Sequence, residues 1–310
     1  MEITQPHRVA AMTVLAPIAW GTTYVTVTEF LPAGRPLLVA AARVLPAGLV
    51  LLAAGRWHSR WRPRGHEWAT TAALALFNFA LFFPLLIVAV YRLPGGVAAA
   101  FGGLQPLLIA VLSWAIAGRR PRATEVLIGI AAAVGVALVV LRPGATFDLV
   151  GLLSATAATV SFAVGVVLTK LVPAAPNRLA STGWQLLIGG VPLAALALMV
   201  EGPPPALSFT NMIGFAYLGL IGTALAFVLW FSGIRHLPTA APPLLGLAAP
   251  LTGVALGWLV LDQSLNAVQL IGFAITIGAM ARGAMLRPPK ERAMPVSPTL
   301  HLDAACLAAR

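Results

Sequence analysis

Charged residues divide this chain into a succession of long apolar runs, and that division constrains the fold more than any motif does. About 20 apolar residues in a helix cross the hydrocarbon core of a bilayer. In lipid every backbone N–H and C=O must find its partner within the segment, so such runs are expected to be helices. Ten are expected. The first lies between Arg8 and Glu29, the second between Arg35 and Arg56, the third between Glu67 and Arg92, and the fourth between Pro94 and Arg119. The fifth, between Glu125 and Arg142, is the shortest, and the sixth runs from Asp148 to Lys170. The seventh joins Arg178 to Glu201, and the eighth follows the Gly202–Pro205 loop and ends near Arg235. The ninth extends from about Pro238 to Asp262 and the tenth from Asn266 to Arg282. The fold class expected is therefore an all-α integral membrane protein.

Composition supports lipid as the solvent. Only 9% of the residues are charged, and the mean hydropathy is +0.91, whereas a soluble domain carries roughly a quarter charged residues. The net charge of +11 raises the question of nucleic acid, but the basic residues sit in short gaps between apolar runs and no groove-reading or base-stacking motif accompanies them. Nucleic-acid binding is excluded on that placement. Cys306 is the single cysteine, which rules out an internal disulfide and a multi-cysteine metal site. His7, His58, His66, His236 and His301 show no metal-ligand spacing. No metal or cofactor is expected. The first apolar run has no small-residue cleavage site and continues through Trp20 and Tyr24, so it reads as a retained span.

The gaps alternate in charge. One set holds Arg8, the Arg56–Arg64 cluster, Arg119, Arg120 and Arg122, Lys170 and Arg178, Arg235, and the basic residues from Arg282 to Arg310; the other holds only Arg35, Arg92 and Arg142. Under the positive-inside rule this places both termini in the cytoplasm. The segment from Arg287 to Arg310, rich in Pro and polar residues, is expected to be a disordered cytoplasmic tail. Residues 1–8 form a short cytoplasmic N-terminus.

The spans repeat. Leu93-Pro94 recurs as Leu237-Pro238, Phe83 as Phe227, Pro106 as Pro250 and Trp114 as Trp258, each 144 positions on. Gly129 and Gly135 recur as Gly272 and Gly278 after the loss of one residue. More loosely, Trp20 corresponds to Phe162 and Gly48 to Gly190. Two five-helix repeats are expected, at residues 9–142 and 149–286. Five is odd, so the second must enter the membrane upside down relative to the first, and inverted repeats around a midplane site are a common design of secondary transporters.

The motifs that carry a family likeness are Trp20-Gly21-Thr22-Thr23-Tyr24 with Glu29-Phe30-Leu31-Pro32, then Ala42-Arg43-Val44-Leu45-Pro46-Ala47-Gly48, and Leu104-Gln105-Pro106-Leu107 through Gly118-Arg119-Arg120-Pro121. They resemble EamA-type carriers of the drug/metabolite transporter superfamily over about residues 9 to 286. The resemblance implies two five-helix repeats, a central cavity and export of small metabolites. Members often carry a Gly-Glu pair after the fourth or ninth span; this chain has Gly118-Arg119 and Leu261-Asp262 there.

Candidate solute-binding residues are those whose polarity is costly at their depth. Pro106 and Pro250 lie 12 residues into their spans, roughly 18 Å along a helix, where proline frees a carbonyl near the midplane. Gly102-Gly103 and Gly246 loosen the same turns; the alternative is a packing kink. Arg43 is the ionisable residue deepest in a span. An intramembrane charge is a functional candidate, the alternative being that it snorkels outward or pairs with Glu29. Trp20, Thr23 and Tyr24, with Thr22, Thr26 and Thr28, make the first span polar and suit a cavity wall, unless the hydroxyls bond to their own backbone. Asn78, Gln105 and Gln185 offer neutral amides, to solute or to neighbouring helices. Trp184 and Trp230 sit nearer the cytoplasmic face and are expected to anchor at the interface, as are Trp57, Trp61, Trp68, Trp114 and Trp258.

No Asp, Glu or His lies deep in a proposed span, so a carboxylate proton relay is not expected, and facilitated export or exchange fits better. Catalytic clusters are absent from the sequence, which speaks against a membrane enzyme. A scaffold or passive channel stays open as the alternative, although no charged ring or polar stripe runs through several spans. Expected partners are a small-molecule solute and the lipid bilayer, with a homodimer among the assemblies considered.

Overall fold

The computed structural model describes residues 6–93, 101–140, 148–260 and 266–285, and among these there is no strand. The helices are α1 (Pro6–Gly21), α2 (Thr23–Phe30), α3 (Pro36–His58), α4 (Glu67–Ala75), α5 (Phe82–Arg92), α6 (Gln105–Ala117), α7 (Ala123–Val140), α8 (Leu149–Leu171), α9 (Arg178–Val200), α10 (Phe209–Gly219), α11 (Ala226–His236), α12 (Ala241–Leu245), α13 (Ala248–Val260) and α14 (Ala267–Ala284). Among the described residues six continuous helical stretches are long and apolar enough to cross a membrane: His7–Phe30, Pro36–Trp57, Glu67–Arg92, Leu149–Leu171, Arg178–Val200 and Phe209–His236. Four shorter apolar helices accompany them. Helix ends fall where polar residues supply caps. Asp148, Asn177, Ser208 and Asn266 each accept a hydrogen bond from a backbone N–H in the first turn of the helix that follows. The start of the fourth span at Pro94, the end of the fifth at Arg142, Leu261-Asp262, the side chain of Trp258 and the tail from Arg287 lie outside the described residues.

Two interruptions were not foreseen. The stretches Glu67–Arg92 and Phe209–His236 each contain a π-turn, at Leu76–Ala80 and Leu220–Leu225. The second begins 144 positions after the first, the offset that relates Phe83 to Phe227. An i→i−5 turn inserts a residue and re-aims the side chains that follow it. The other breaks fall where expected. Gly103-Leu104 and Gly246-Leu247 are turns that precede α6 and α13, so Pro106 and Pro250 sit in the first turns of new helices, where a missing N–H costs little. Gly118 ends α6 at φ 66°, a left-handed value that favours glycine. Arg119 beside it pairs with Glu125 at 2.7 Å.

Long helices pack in antiparallel pairs. Helix α3 lies along α9, α7 along α14, α5 along α8, and α1 along α11, while the end of α1 meets the start of α13. At the α3–α9 crossing a Cβ on Gly48 would meet Leu187, and one on Gly190 would meet Leu45. Each glycine thus opens room for a leucine of the other helix. At the α7–α14 crossing the backbones themselves touch. A Cβ on Gly272 would lie 2.6 Å from the Gly135 carbonyl oxygen and 2.8 Å from the Val139 nitrogen. In lipid, where the hydrophobic effect does not drive helices together, such close approach supplies dispersion contact.

The centre of the bundle is aromatic. Trp20, Phe79, Phe83, Phe162, Phe227, Trp230 and Phe231 form one cluster in which Trp20 contacts Phe162, Phe227 and Trp230 at ring distances of 5.7, 5.0 and 5.1 Å. Trp230 is 0% exposed. Its expected role as an interface anchor is therefore wrong. Counting residues from a helix end gives depth but not direction, and α11 turns Trp230 inward between α1 and α8. Trp184 is half-buried and meets Trp68 edge-on, while Trp57 is 90% exposed and Trp114 51%.

Candidate functional site

Beside the aromatic cluster lies a cavity with about 780 Å³ of space free of atoms, the open space at its mouth included. Its wall is assembled from α1, α2, α3, α5, α6, α8 and α13. Six of the nine residues singled out in the sequence line it: Trp20, Thr23, Tyr24, Arg43, Gln105 and Pro250. The turns explain how. The short break at Thr22 and the Gly246-Leu247 turn bring α1 and α13 so close that a Cβ on Gly21 would lie 2.5 Å from the Ala249 carbonyl oxygen. The break before α6 sets Gln105 at a helix start, where its side chain faces the open space.

Three residues are placed elsewhere. Pro106 faces a smaller cavity with Arg119, Glu125 and Thr239. Asn78 is fully buried and donates to the Thr169 hydroxyl at 3.4 Å, against Gly165 of α8. Gln185 is buried on α9 and donates to Ser181. Both amides keep an oxygen without a hydrogen-bond partner. Along the first span the hydroxyls divide. Thr26 and Thr28 donate to backbone carbonyls one turn back, and Thr22 meets the Tyr217 hydroxyl at 2.8 Å. Thr23 and Tyr24 border the cavity instead.

Arg43 neither snorkels nor pairs with Glu29. It is 1% exposed, its Nε donates to the Thr223 hydroxyl at 3.0 Å and its Nη2 to the Gly222 carbonyl at 3.2 Å. The guanidinium carbon lies 4.1 Å from the Phe83 ring centre. Nη1 is buried without a hydrogen-bond partner. The π-turn makes this arrangement: inside it the Gly222 carbonyl accepts both from Arg43 and from the Trp20 indole at 3.0 Å. Helices of the first, second and eighth spans therefore share one acceptor.

Sequence reasoning missed Phe82, Phe83, Leu86, Ala155, Thr159 and Phe162 as wall residues. For Phe83 and Phe162 a signal existed, since both are repeat markers matched to Phe227 and Trp20. For the Gly222-Thr223 seat of Arg43 none did, because a π-turn has no local signature there.

At their C-terminal ends α8 and α11 are joined by hydrogen bonds. Lys170 Nζ donates to the carbonyls of Ile234 at 2.7 Å and Leu237 at 3.0 Å, and Arg235 reaches back to the Val172 carbonyl at 3.3 Å. Each cation thereby satisfies the exposed carbonyls that end the other helix. The cavity wall residues on α5 and α8, Leu86, Ala89, Ala155 and Thr159, sit toward the opposite end, where Arg92 and Asp148 pair at 3.3 Å.

Two successive stretches, residues 7–141 and 149–281, match the model of the EamA-like transporter family. The chain belongs to this family. Among relatives of the EamA chain is Protein PecM of Dickeya dadantii, 38% identical over 267 residues, which span 86% of this chain and 88% of PecM. A protein named as a probable amino-acid metabolite efflux pump in Escherichia coli is 23% identical, over 84% of this chain and 89% of its own. A solved crystal structure, 21% identical, superposes with a TM-score of 0.71 over 89% of this chain and 96% of the other, which carries the fold. EamA proteins are transporters and not enzymes, and this chain is accordingly a multi-pass membrane transporter.

Proposed function

We propose that the protein exports a small amphipathic metabolite, such as an amino acid or an aromatic compound, by alternating access around the central cavity. The observation that carries this reading is the composition of the wall. Trp20, Tyr24, Arg43 and Gln105 come from the first matched stretch and Thr159, Phe162, Gly246 and Pro250 from the second, so relative motion of the two reshapes the cavity directly. Residues 9–142 and 149–286 are then two five-helix repeats, inverted about an axis in the membrane plane. In support stand the reciprocal Gly48–Leu187 and Gly190–Leu45 contacts, the paired breaks before α6 and α13, and the two π-turns at one offset. Ten spans follow, the four shorter helices crossing together with the turns beside them or where the bilayer thins locally. The Lys170 contacts close the cytoplasmic end in this state, leaving the cavity nearer the outer face. With no carboxylate or histidine deep in a span among the described residues, the solute gradient drives the cycle.

The membrane is the plasma membrane, with both termini in the cytoplasm by the distribution of Lys and Arg. A homodimer packed through lipid-facing helices is compatible with this arrangement. Cys306, which lies outside the described residues, tests the orientation. It is expected to escape a membrane-impermeant thiol reagent in intact cells, and labelling there reverses the topology.

The functional test is an efflux screen comparing cells with and without the protein, repeated with Gln105→Leu. The Gln105 amide has no side-chain hydrogen bond among the described residues, so its loss costs the fold little. Export is expected to fall by about tenfold, the equivalent of one hydrogen bond to a solute, with unchanged membrane insertion. Export at the wild-type rate would remove Gln105 from the solute path, and no exported solute at all would sink the proposal.

A further inference from the structure

The cavity wall carries a cation without a counter-charge. Arg43 is the single ionisable side chain of its wall among the described residues apart from the phenol of Tyr24. Both of its hydrogen-bond acceptors, the Thr223 hydroxyl and the Gly222 carbonyl, are neutral. Phe83 covers one face of the guanidinium, and Nη1 has no acceptor. The two ion pairs among the described residues, Arg92–Asp148 and Arg119–Glu125, do not include it. A guanidinium withdrawn from water with nothing opposite it is among the more expensive arrangements a membrane protein holds. An anion delivered to Nη1 removes that cost, and the planar fork suits the two oxygens of a carboxylate.

Around it the wall offers neutral polar groups, the Thr23 and Tyr24 hydroxyls and the Gln105 amide, each without a side-chain hydrogen bond among the described residues. Thr159, whose hydroxyl donates to the Ala155 carbonyl, also lines the cavity, and the remainder is glycine, aliphatic and aromatic, with Trp20, Phe82 and Phe162 forming flat surfaces. No carboxylate lines the cavity among the described residues, so an ammonium group entering it meets Arg43 and no counter-charge.

We infer that the transported solute is a carboxylate monoanion on an aromatic or apolar body, its carboxylate docked on Arg43 and its ring held among Trp20, Phe82 and Phe162. This rests on the transport reading and narrows it, selecting the anion over the zwitterion and the amine. Solute entry turns Arg43 from a strained ground state into a paired one, so the empty and loaded cavities differ most at this residue.

The test uses three probes that share a ring and differ in charge: phenylpyruvate, phenylalanine and phenethylamine. Purified protein is reconstituted in liposomes loaded with each unlabelled probe, and counterflow of the labelled form is measured. In parallel, the thermal midpoint in detergent is recorded with each probe. Phenylpyruvate is expected to exchange at least about tenfold faster than the other two and to raise the midpoint alone. Arg43→Met is expected to abolish both effects. Should that variant fold poorly, Arg43→Lys keeps the charge without the fork and is expected to weaken the shift produced by phenylpyruvate while leaving the ligand-free midpoint close to wild type. Faster exchange of phenylalanine or phenethylamine overturns the anion assignment and leaves transport standing. Phenylpyruvate exchange or stabilisation undiminished in both variants overturns the role of Arg43. If none of the three exchanges or shifts the midpoint, the aromatic-carboxylate assignment is overturned, while the efflux screen decides transport by itself.

Discussion

Gly272→Ala is expected to destabilise the bundle strongly for a change of a single methyl. The added Cβ would meet the Gly135 carbonyl oxygen at 2.6 Å, the Val139 nitrogen at 2.8 Å and the Leu138 Cβ at 2.9 Å. Two of these are backbone atoms, which cannot rotate aside as a side chain does. Helices α7 and α14 must therefore separate along their contact, losing dispersion on both sides together with the hydrogen bond from Gln269 Nε2 to the Val139 carbonyl at 3.0 Å. Overpacking of this kind costs about 1–3 kcal/mol. The comparison that isolates the cause is Gly278→Ala on the same helix, where nothing lies within 4 Å of the new methyl. Helix propensity alone favours alanine there by about 1 kcal/mol. Thermal midpoints in detergent should fall sharply for the first variant and hold or rise for the second. Equal midpoints would mean that α7 and α14 do not touch at Gly135.

Trp20→Ala is expected to lower both stability and transport. The indole contacts Phe162, Phe227 and Trp230 and donates to the Gly222 carbonyl at 3.0 Å. Its removal leaves a void in the central cluster, for which an aromatic-to-alanine change costs about 3–5 kcal/mol. It also removes one face of the central cavity. Trp20→Phe separates the two effects. It keeps most of the ring contact and forfeits the indole hydrogen bond, worth about 1 kcal/mol, while Arg43 still occupies the shared carbonyl. The expected order in both midpoint and uptake rate is wild type, then Trp20→Phe, then Trp20→Ala. Wild-type values for the alanine variant would take Trp20 out of the core and out of the cavity together.

These two predictions differ in how much of them the sequence carried. Trp20 stood out because an indole 12 residues beyond Arg8 is too deep for the interfacial belt, and the structure places it on the cavity wall. Gly272 stood out only as a repeat marker beside Gly129, Gly135 and Gly278. By sequence the four are alike. In three dimensions Gly135 and Gly272 meet, Gly129 faces the flexible end of Leu107, and Gly278 faces open space. Which glycine is crowded depends on how two helices distant in the chain cross, and no local pattern records that.

The sequence by itself determined the all-helical, apolar character of the chain. Burying a charge or an unpaired backbone group in lipid is costly, so charged and polar residues gather between the apolar helices. The caps at Asp148, Asn177, Ser208 and Asn266 fall where the charged and polar gaps put them. It also pointed to six of the nine candidate residues that line the cavity, because deep polar side chains are costly wherever they face. Only the tertiary structure decided which way each one faces. Asn78 and Gln185 turn to neighbouring helices and Pro106 to a separate cavity. Trp230 turns inward, and Arg43 finds its acceptors in a π-turn at the other end of the sequence. Depth is a property of position along one helix, whereas direction depends on rotation about the helix axis, and single-residue insertions such as the two π-turns reset that rotation without leaving a mark in the hydropathy.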